Sequence, residues 1–401
     1  VPQAIARIRG FMTKAAFALR LSAFYAALFV IYGVQLPFLP VWLDARGLTS
    51  NEIAIITAAP FLLRLLVTPA LGIIGDRTGG HRQLVLVLAW CSLVMILLLG
   101  AMESFSTILL VAVPFSLAAA AIMPLAETIA IGGVRTLRAD YGRMRLWGSL
   151  SFIVMGLVGG WLIDQAGSGA TIGMLIFGAG VTVLAGHSLP VARVEKAGDA
   201  RSLRGLALGD VARLARAPAF LAFLVAVSTT QAAHSLFYTF GALHLQKQGI
   251  SGIWIGALWA IAVLAEVVLF AYAGRWLAGV AAGRLMAAGA LAAVARWSAM
   301  SFDPPLLVLV LLQMLHAFTY AMTHLGAMRF IERSVPEGVA GTAQALHSTF
   351  AAGVVMGFAT LASGPLYLEF GGSAYLAMAA LAAIGLGAAI RLAPLKSDAR
   401  L

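Results

Sequence analysis

The chain has 401 residues, of which 61% are hydrophobic and 11% charged, with a mean hydropathy of +0.96 and a formal net charge of +11. Soluble domains carry about 25% charged residues, so this composition excludes an ordinary soluble globular protein. It also excludes a transmembrane β-barrel, whose strands would alternate polar and apolar residues over about ten positions.

Apolar runs long enough to cross a bilayer as a helix, about 20 residues each, recur along the chain instead. In order they are 18–43, 50–75, 83–102, 106–131, 147–166, 170–190, 218–246, 251–274, 284–302, 304–328, 338–364 and 372–392. These twelve spans predict an all-α, multi-pass membrane protein. Basic residues precede the first run as in a signal peptide. No small-residue cleavage site follows and the run is long enough to span, so it is read as retained. Met12 is a candidate start, which would make residues 1–11 dispensable. With the N-terminus placed in the cytoplasm, Arg46 and Lys247 fall outside, Arg64 and Arg296 fall within spans, and the other Lys and Arg fall on the cytoplasmic side. That is the positive-inside pattern. It accounts for the basicity, so no nucleic acid partner is implied, and both termini are expected in the cytoplasm.

The first span carries Tyr25, Tyr32 and Gln35. Between the second and third lies GIIGDRTGGHR, residues 72–82. Its glycines suit a tight turn between helices, and Asp76, Arg77 and Arg82 suit ion pairs at a cytoplasmic gate. Cys91 is the only cysteine, so no intramolecular disulfide is possible and no zinc spacing exists. Gly156, Gly159 and Gly160 in the fifth span permit close helix contact. After Pro190 the composition changes: Arg193, Lys196, Arg201, Arg204, Arg213 and Arg216 stand against Glu195, Asp199 and Asp210. This stretch divides the chain into a six-span half, 1–190, a cytoplasmic linker, 191–217, and a second six-span half, 218–401. Within the linker, LGDVARLARA is patterned as a short amphipathic helix. The loop matching 72–82 in the second half is GRWLAGVAAGR, 274–284, which keeps glycines and basic ends but lacks the acid. Repeated halves with a site near mid-membrane are a transporter layout.

Four ionisable residues sit inside the spans: Arg64, Glu127, Glu266 and Arg296. Each costs about 2.5–3.5 kcal/mol at the bilayer centre on insertion scales. They can serve as ion pairs that lock helix packing or as a substrate and proton site. Polar stripes accompany them: Gln231, His234 and Tyr238 in the seventh span, Gln313, His316, Tyr320, Thr323 and His324 in the tenth, Gln344 and His347 in the eleventh. His187 and His347 read as structural histidines. Trp259, Tyr32, Tyr238 and Phe152 are aromatics suited to stacking on a solute, though packing is the commoner role. There is no phosphate loop, and DYGRMR, at a membrane boundary beside LWGS, is not a kinase motif. No catalytic constellation and no cofactor are expected.

Gly72, Asp76, Arg77, Gly79 and Arg82 form GxxxDRxGxxR, which resembles the loop signature of the major facilitator superfamily. DYGRMRLWGS (140–149), LAETIA around Glu127, AEVVLF around Glu266, VARW around Arg296, QAAH around His234, and LHAFT with THLGAMRF around His316 and His324 resemble the phenylpropionate permease family of that superfamily over nearly the whole chain. A looser likeness is to lactose permease, a sugar–proton symporter. It implies a sugar-holding pair at Glu127 and Arg145, a stacking aromatic at Phe152, and a coupling group at Glu266, Arg296 and His316. Hydropathy alone puts Arg145 at the cytoplasmic end of its span; the resemblance moves it into a cavity. One position departs: where lactose permease has the carboxylate that carries the coupling proton, this chain has Thr319.

The resemblance therefore implies two pseudo-symmetric six-helix bundles of the major facilitator fold. It implies a monomeric, proton-coupled importer of a small organic solute such as an aromatic carboxylic acid, in a bacterial-type cytoplasmic membrane. Arg145 or Arg64 is expected to meet the substrate carboxylate, with His234, Tyr238, Tyr32, His316 and Tyr320 around it. Thr319 leaves the proton to Glu266, Glu127 or His316. Glu266 comes first, because a change of partner at Arg296 would load and unload a proton; an unperturbed histidine also titrates near physiological pH. A sugar or nucleoside symporter, a uniporter or exporter without proton coupling, and a non-transporting receptor are the rival readings. GLVGGW lacks the Gly-Pro signature of drug antiporters, which argues against efflux.

Overall fold

A computed structural model describes residues 13–190, 208–336 and 339–394. Residues 1–11, Met12 and most of the linker lie outside the described residues. Those described are helical throughout, with no strand. A bilayer leaves no other choice to an open chain, since every backbone polar group must be satisfied within its own segment.

The first six spans are Lys14–Ala45, Ser50–Thr78, His81–Leu99, Phe105–Leu137, Tyr141–Ala166 and Ala170–Ser188. The next six are Pro218–Lys247, Gly252–Trp276, Ala282–Met300, Leu306–Ser334, 340–370 and Tyr375–Leu392. Ten stretches are long and apolar enough to cross a membrane. One of them, Ala340–Leu392, holds the last two spans, divided at Gly371, which has φ +54°. The ninth span is less apolar because it carries Arg284 and Arg296. Just ahead of the seventh span, the short helix Leu208–Arg216 forms where the amphipathic pattern places it.

Local chemistry fixes the ends. Thr49 and Glu52 make a reciprocal capping box at the start of the second span, with the Glu52 carboxylate accepting the Thr49 N–H at 2.8 Å. Gly79, at φ +67°, ends that span in the left-handed region open to glycine. Asp140 caps the fifth span through the Arg143 N–H, 3.1 Å. Three spans break near their polar residues, the eleventh by a π-helical turn at Phe350–Val354. The seventh is interrupted at Ala233–His234, and the tenth contains a π-helical turn at Ala317–Met322. π turns inside helices are frequent at functional sites.

Within the first half, span one packs along spans five and six, and span three along span four; within the second, span twelve packs along spans seven and nine. The halves meet along three seams: span five on eight, two on eleven, and one on seven. At the first seam the backbones touch. A Cβ on Gly160 would stand 2.0 Å from the Gly252 carbonyl oxygen, and one on Gly256 would stand 2.0 Å from that of Gly156. Only glycine permits that approach. Gly159 instead faces Phe38 within the first half. Polarity is inverted relative to a soluble protein: Leu66, Leu110 and Leu184 are exposed, while Arg296, His234, Gln313 and Thr319 are buried.

Connections alternate between two faces. The one bearing 79–80, 138–140, 189–190 and 277–281 is called the linker face here; the one bearing 46–49, 167–169, 248–251 and 371–374 is the opposite face.

Candidate functional site

At the seam of spans one, two, four and seven lies a cavity of roughly 210 Å³. At about 30 Å³ per water, that is space for about seven waters or one small organic molecule. Its walls are mostly apolar and aromatic: Tyr32, Leu36, Leu39 and Pro40 of span one, Ile56, Pro60 and Phe61 of span two, and Tyr238 of span seven. The polar lining is Gln35, Thr57, Ser116, Thr239 and Arg64. Gln35 donates to the Ser116 hydroxyl at 2.9 Å, Tyr32 to the Ala119 carbonyl at 2.8 Å, and Thr57 to the Ile53 carbonyl at 2.8 Å. Arg64 stands midway along its span, its guanidinium 4.9 Å from the Phe61 ring centre. It makes no hydrogen bond or ion pair among the described residues. Tyr32, Gln35, Tyr238 and Arg64, all polar residues of the spans in sequence, do face this cavity. Phe61 and Ser116 are lining residues that the sequence reading misses, although Phe61 stands three residues before Arg64 and so shares its helix face.

A second group belongs to the second half alone. Arg296 is wholly buried. It donates to Gln313 Oε1 at 2.6 Å, to Thr319 Oγ1 at 3.3 Å and to His316 Nδ1 at 3.3 Å. Its charge lies against the Trp297 ring at 4.5 Å and the Phe237 ring at 5.4 Å. No carboxylate lies within salt-bridge distance of it among the described residues. His316 intervenes, its Nε2 3.5 Å from Glu266 Oε2. Arginine can only donate, so His316 Nδ1 accepts and its proton sits on Nε2, facing Glu266. The same logic orders the rest. His234 Nδ1 donates to the Gln231 carbonyl at 3.0 Å, so its Nε2 accepts the Thr319 O–H at 2.9 Å, while Thr319 Oγ1 accepts from Arg296. His316 and Tyr320 stack at 5.4 Å and Tyr320 and His324 at 6.4 Å, so the tenth-span stripe does occupy one face.

A third group lies toward the linker face. Glu127 accepts from the Tyr141 hydroxyl at 3.0 Å. Arg145, one turn into span five, lies over Phe29 at 4.1 Å, and its Nη1 is buried without a hydrogen-bond partner. Glu127 and Arg145 do not form an ion pair. Phe152 does not join them: it is buried at the junction of spans one and five, its backbone against Gly33, and does not line the cavity. Trp259 stacks on Phe237 at 5.0 Å. Around the turn from span two to span three, Asp76 contacts His81 at 3.1 Å, Arg82 donates to the His187 carbonyl at 2.7 Å, and Arg77 is exposed.

At the opposite face the halves are fastened by polar contacts that the sequence reading does not single out. Asp164 accepts the Gly252 N–H at 2.6 Å and the Ile253 N–H at 2.9 Å. Lys247 lies 4.0 Å from Asp44. Nearby, Asp303 accepts from His244 and from Gln248, each at 2.8 Å.

A twelve-span helical bundle with an arginine and aromatic side chains facing a cavity between its two halves is a membrane transporter, not an enzyme. The chain belongs to the MFS_1 like family, which matches residues 18–377. It is 29% identical over 361 residues to the probable 3-phenylpropionic acid transporter of Escherichia coli (strain K12), covering 89% of this chain and 93% of that protein. It is 28% identical over 355 residues to the maltose permease of Geobacillus stearothermophilus, covering 86% of each. Among solved structures, the nucleoside transporter NupG superimposes with a TM-score of 0.79 over 95% of this chain and 100% of that one, at 17% identity. That likeness confirms the major facilitator fold expected from the loop signature.

Proposed function

We propose that the protein imports an aromatic monocarboxylic acid of the phenylpropionate kind, together with a proton, by alternating access. The observation that carries this reading is the charge balance of the interior, with one of its arginines, Arg64, on an aromatic-walled cavity. Arg64, Arg145 and Arg296 stand against Glu127 and Glu266, so the interior holds one cation more than its carboxylates neutralise. A monocarboxylate supplies the missing charge, and Tyr32, Phe61 and Tyr238 supply faces for its ring. Residues 1–190 and 218–401 act as two bodies that rock about this cavity, joined by the cytoplasmic linker 191–217. On the positive-inside rule the basic linker face is cytoplasmic; the reading is of a monomeric protein in a bacterial-type cytoplasmic membrane with both termini inside.

Glu266 and His316 carry the coupling proton on this reading. Their contact at 3.5 Å is the place where a carboxylate meets the Arg296 network, and Thr319 has no proton to exchange near neutral pH. Purified protein in liposomes is expected to accumulate labelled 3-phenylpropionate when the outside is acidified. Absence of uptake at any pH refutes the substrate; uptake without proton movement leaves a uniporter or exporter. A sugar or nucleoside symporter is the second reading. It is favoured by Glu127, Tyr141 and Arg145, which present an acid, a hydroxyl and a cation together toward the linker face. A competition panel of sugars, nucleosides and aromatic acids separates the two.

A further inference from the structure

We propose that Arg64 is the seat of the substrate carboxylate and the residue by which the site selects acids over their neutral analogues; this rests on the reading of the cavity as one for aromatic acids. Of the three interior arginines, one is spent on hydrogen bonds and one lies off the cavity. Arg296 is wholly buried and directs both terminal nitrogens to Gln313, His316 and Thr319. Arg145 lies over Phe29 at 4.1 Å and over Tyr25 at 5.7 Å, and is not part of the cavity wall. Arg64 lines the cavity and has neither hydrogen bond nor ion pair among the described residues.

The neighbours of Arg64 are arranged to leave its charge available. Phe61 offers only a ring face, 4.9 Å away, which holds a guanidinium without consuming its N–H groups. One N–H of Gln35 and the hydroxyls of Tyr32 and Thr57 donate to Ser116, Ala119 and Ile53, so these protons are already committed. The planar fork of arginine matches a carboxylate bidentately, in a way a compact ammonium does not. Inside a low-dielectric wall such a pair is stronger than in water. Tyr238 reaches the same cavity from the second half, so a solute on Arg64 touches both bodies that must move.

The test uses the purified full-length chain, with 3-phenylpropionate as acid and 3-phenylpropionamide as its neutral analogue. In wild-type proteoliposomes the acid is expected to compete with labelled 3-phenylpropionate about ten- to hundred-fold better than the amide, the range of one charged hydrogen-bonded contact. Arg64→Gln brings the two competitors to within a few-fold, and Arg64→Lys falls between. Ser116→Asp, which places a fixed carboxylate in the same cavity, lowers competition by the acid more than competition by the amide; it reports on the seat even where Arg64→Gln folds poorly. Retained acid preference in Arg64→Gln overturns the assignment, as does its loss in Arg145→Gln alone. If wild-type protein takes up no aromatic acid at any pH, the substrate assignment falls, and benzoate-induced thermal shift still decides the seat. A shift lost in Arg64→Gln supports it; an equal shift in both proteins, or none in wild type, overturns it.

Discussion

Removing the carboxylate of Asp164 is expected to loosen the opposite face. The eighth span begins after Ser251, whose side chain makes no capping hydrogen bond. Its first N–H groups are satisfied from the other half of the molecule instead, by Asp164 at 2.6 and 2.9 Å. An N-terminal cap is worth about 0.5–2 kcal/mol, and a carboxylate at the positive end of the helix dipole adds about 0.3–1 kcal/mol. Asp164 is exposed, so screening reduces both, and about 1–2 kcal/mol is a fair figure for the contact. Because the cap bridges the two halves, that free energy is forfeited on opening the face, and Asp164→Ala should multiply the open population about 5- to 30-fold. The assay is thiol labelling. With Cys91→Ala as background, Leu36→Cys places one thiol on the cavity wall, and an impermeant maleimide is added from the opposite face. The rate should rise by that factor in Asp164→Ala and by less in Asp164→Asn, which keeps a neutral acceptor. A rate unchanged by Asp164→Ala would refute the idea that this cap holds the face shut.

Other outcomes follow from the same geometry. Gly160→Val should raise the same labelling rate at least as much as Asp164→Ala, because even a Cβ there would stand 2.0 Å from the Gly252 carbonyl oxygen; an unchanged rate would mean that the seam is looser than its backbone contact implies. Glu266→Gln should abolish proton-driven accumulation while sparing exchange of labelled for unlabelled substrate across the membrane; accumulation that survives points the proton elsewhere. Thr319→Val should leave His234 Nε2 without its donor and Arg296 with one acceptor fewer, at a cost of about 1–3 kcal/mol, seen as a lower unfolding midpoint than in Thr319→Ser. Equal midpoints would show that the hydroxyl bridge is dispensable.

The spans, their number and the polar stripes are readable in the sequence because lipid turns hydropathy and helical spacing into direct structural constraints. His316, Tyr320 and His324 share a face as their spacing requires, and Arg64 and Tyr238 reach the cavity as intramembrane polar groups should. What the chain does not disclose is pairing between spans far apart in sequence. Arg296 and Glu266 look like natural ion-pair partners when counted as charges, yet His316 stands between them, because span ten inserts a π turn between spans eight and nine. The resemblance to lactose permease offers Phe152 as a stacking aromatic, but the close approach of spans one and five at Gly33 takes it into their packing. Asp164 draws no attention in the sequence because it lies near a span end, where an acid is ordinary. Its role depends on the start of span eight arriving from the other half, a contact 88 residues away.

The order of hydrogen bonds around Thr319 bears on why a threonine suffices there. Arg296 has protons to give and no lone pair to receive one, so it forces Thr319 to accept and His316 Nδ1 to accept. Thr319 then has a single proton, directed at His234, and His234 passes its own to the Gln231 carbonyl, where the chain ends on backbone. Such a one-way series fixes side chains firmly but transmits nothing, since no member can take a proton without another losing its partner. The free edge of the network is the other side of His316, where the Nε2 proton faces a Glu266 side chain that remains 23% exposed. On the proton-coupled reading, protonation must enter at that edge, and it removes the negative charge that His316 points to. The Arg296 cluster is then the rigid backing of a proton site rather than part of the path, and a carboxylate at position 319 would meet Arg296 directly, where Glu266 reaches it only through His316. Thr319→Glu should therefore weaken the dependence of uptake on Glu266, so that Glu266→Gln does less damage in its presence than alone. Additive losses in the double variant would separate the two positions and sink this account.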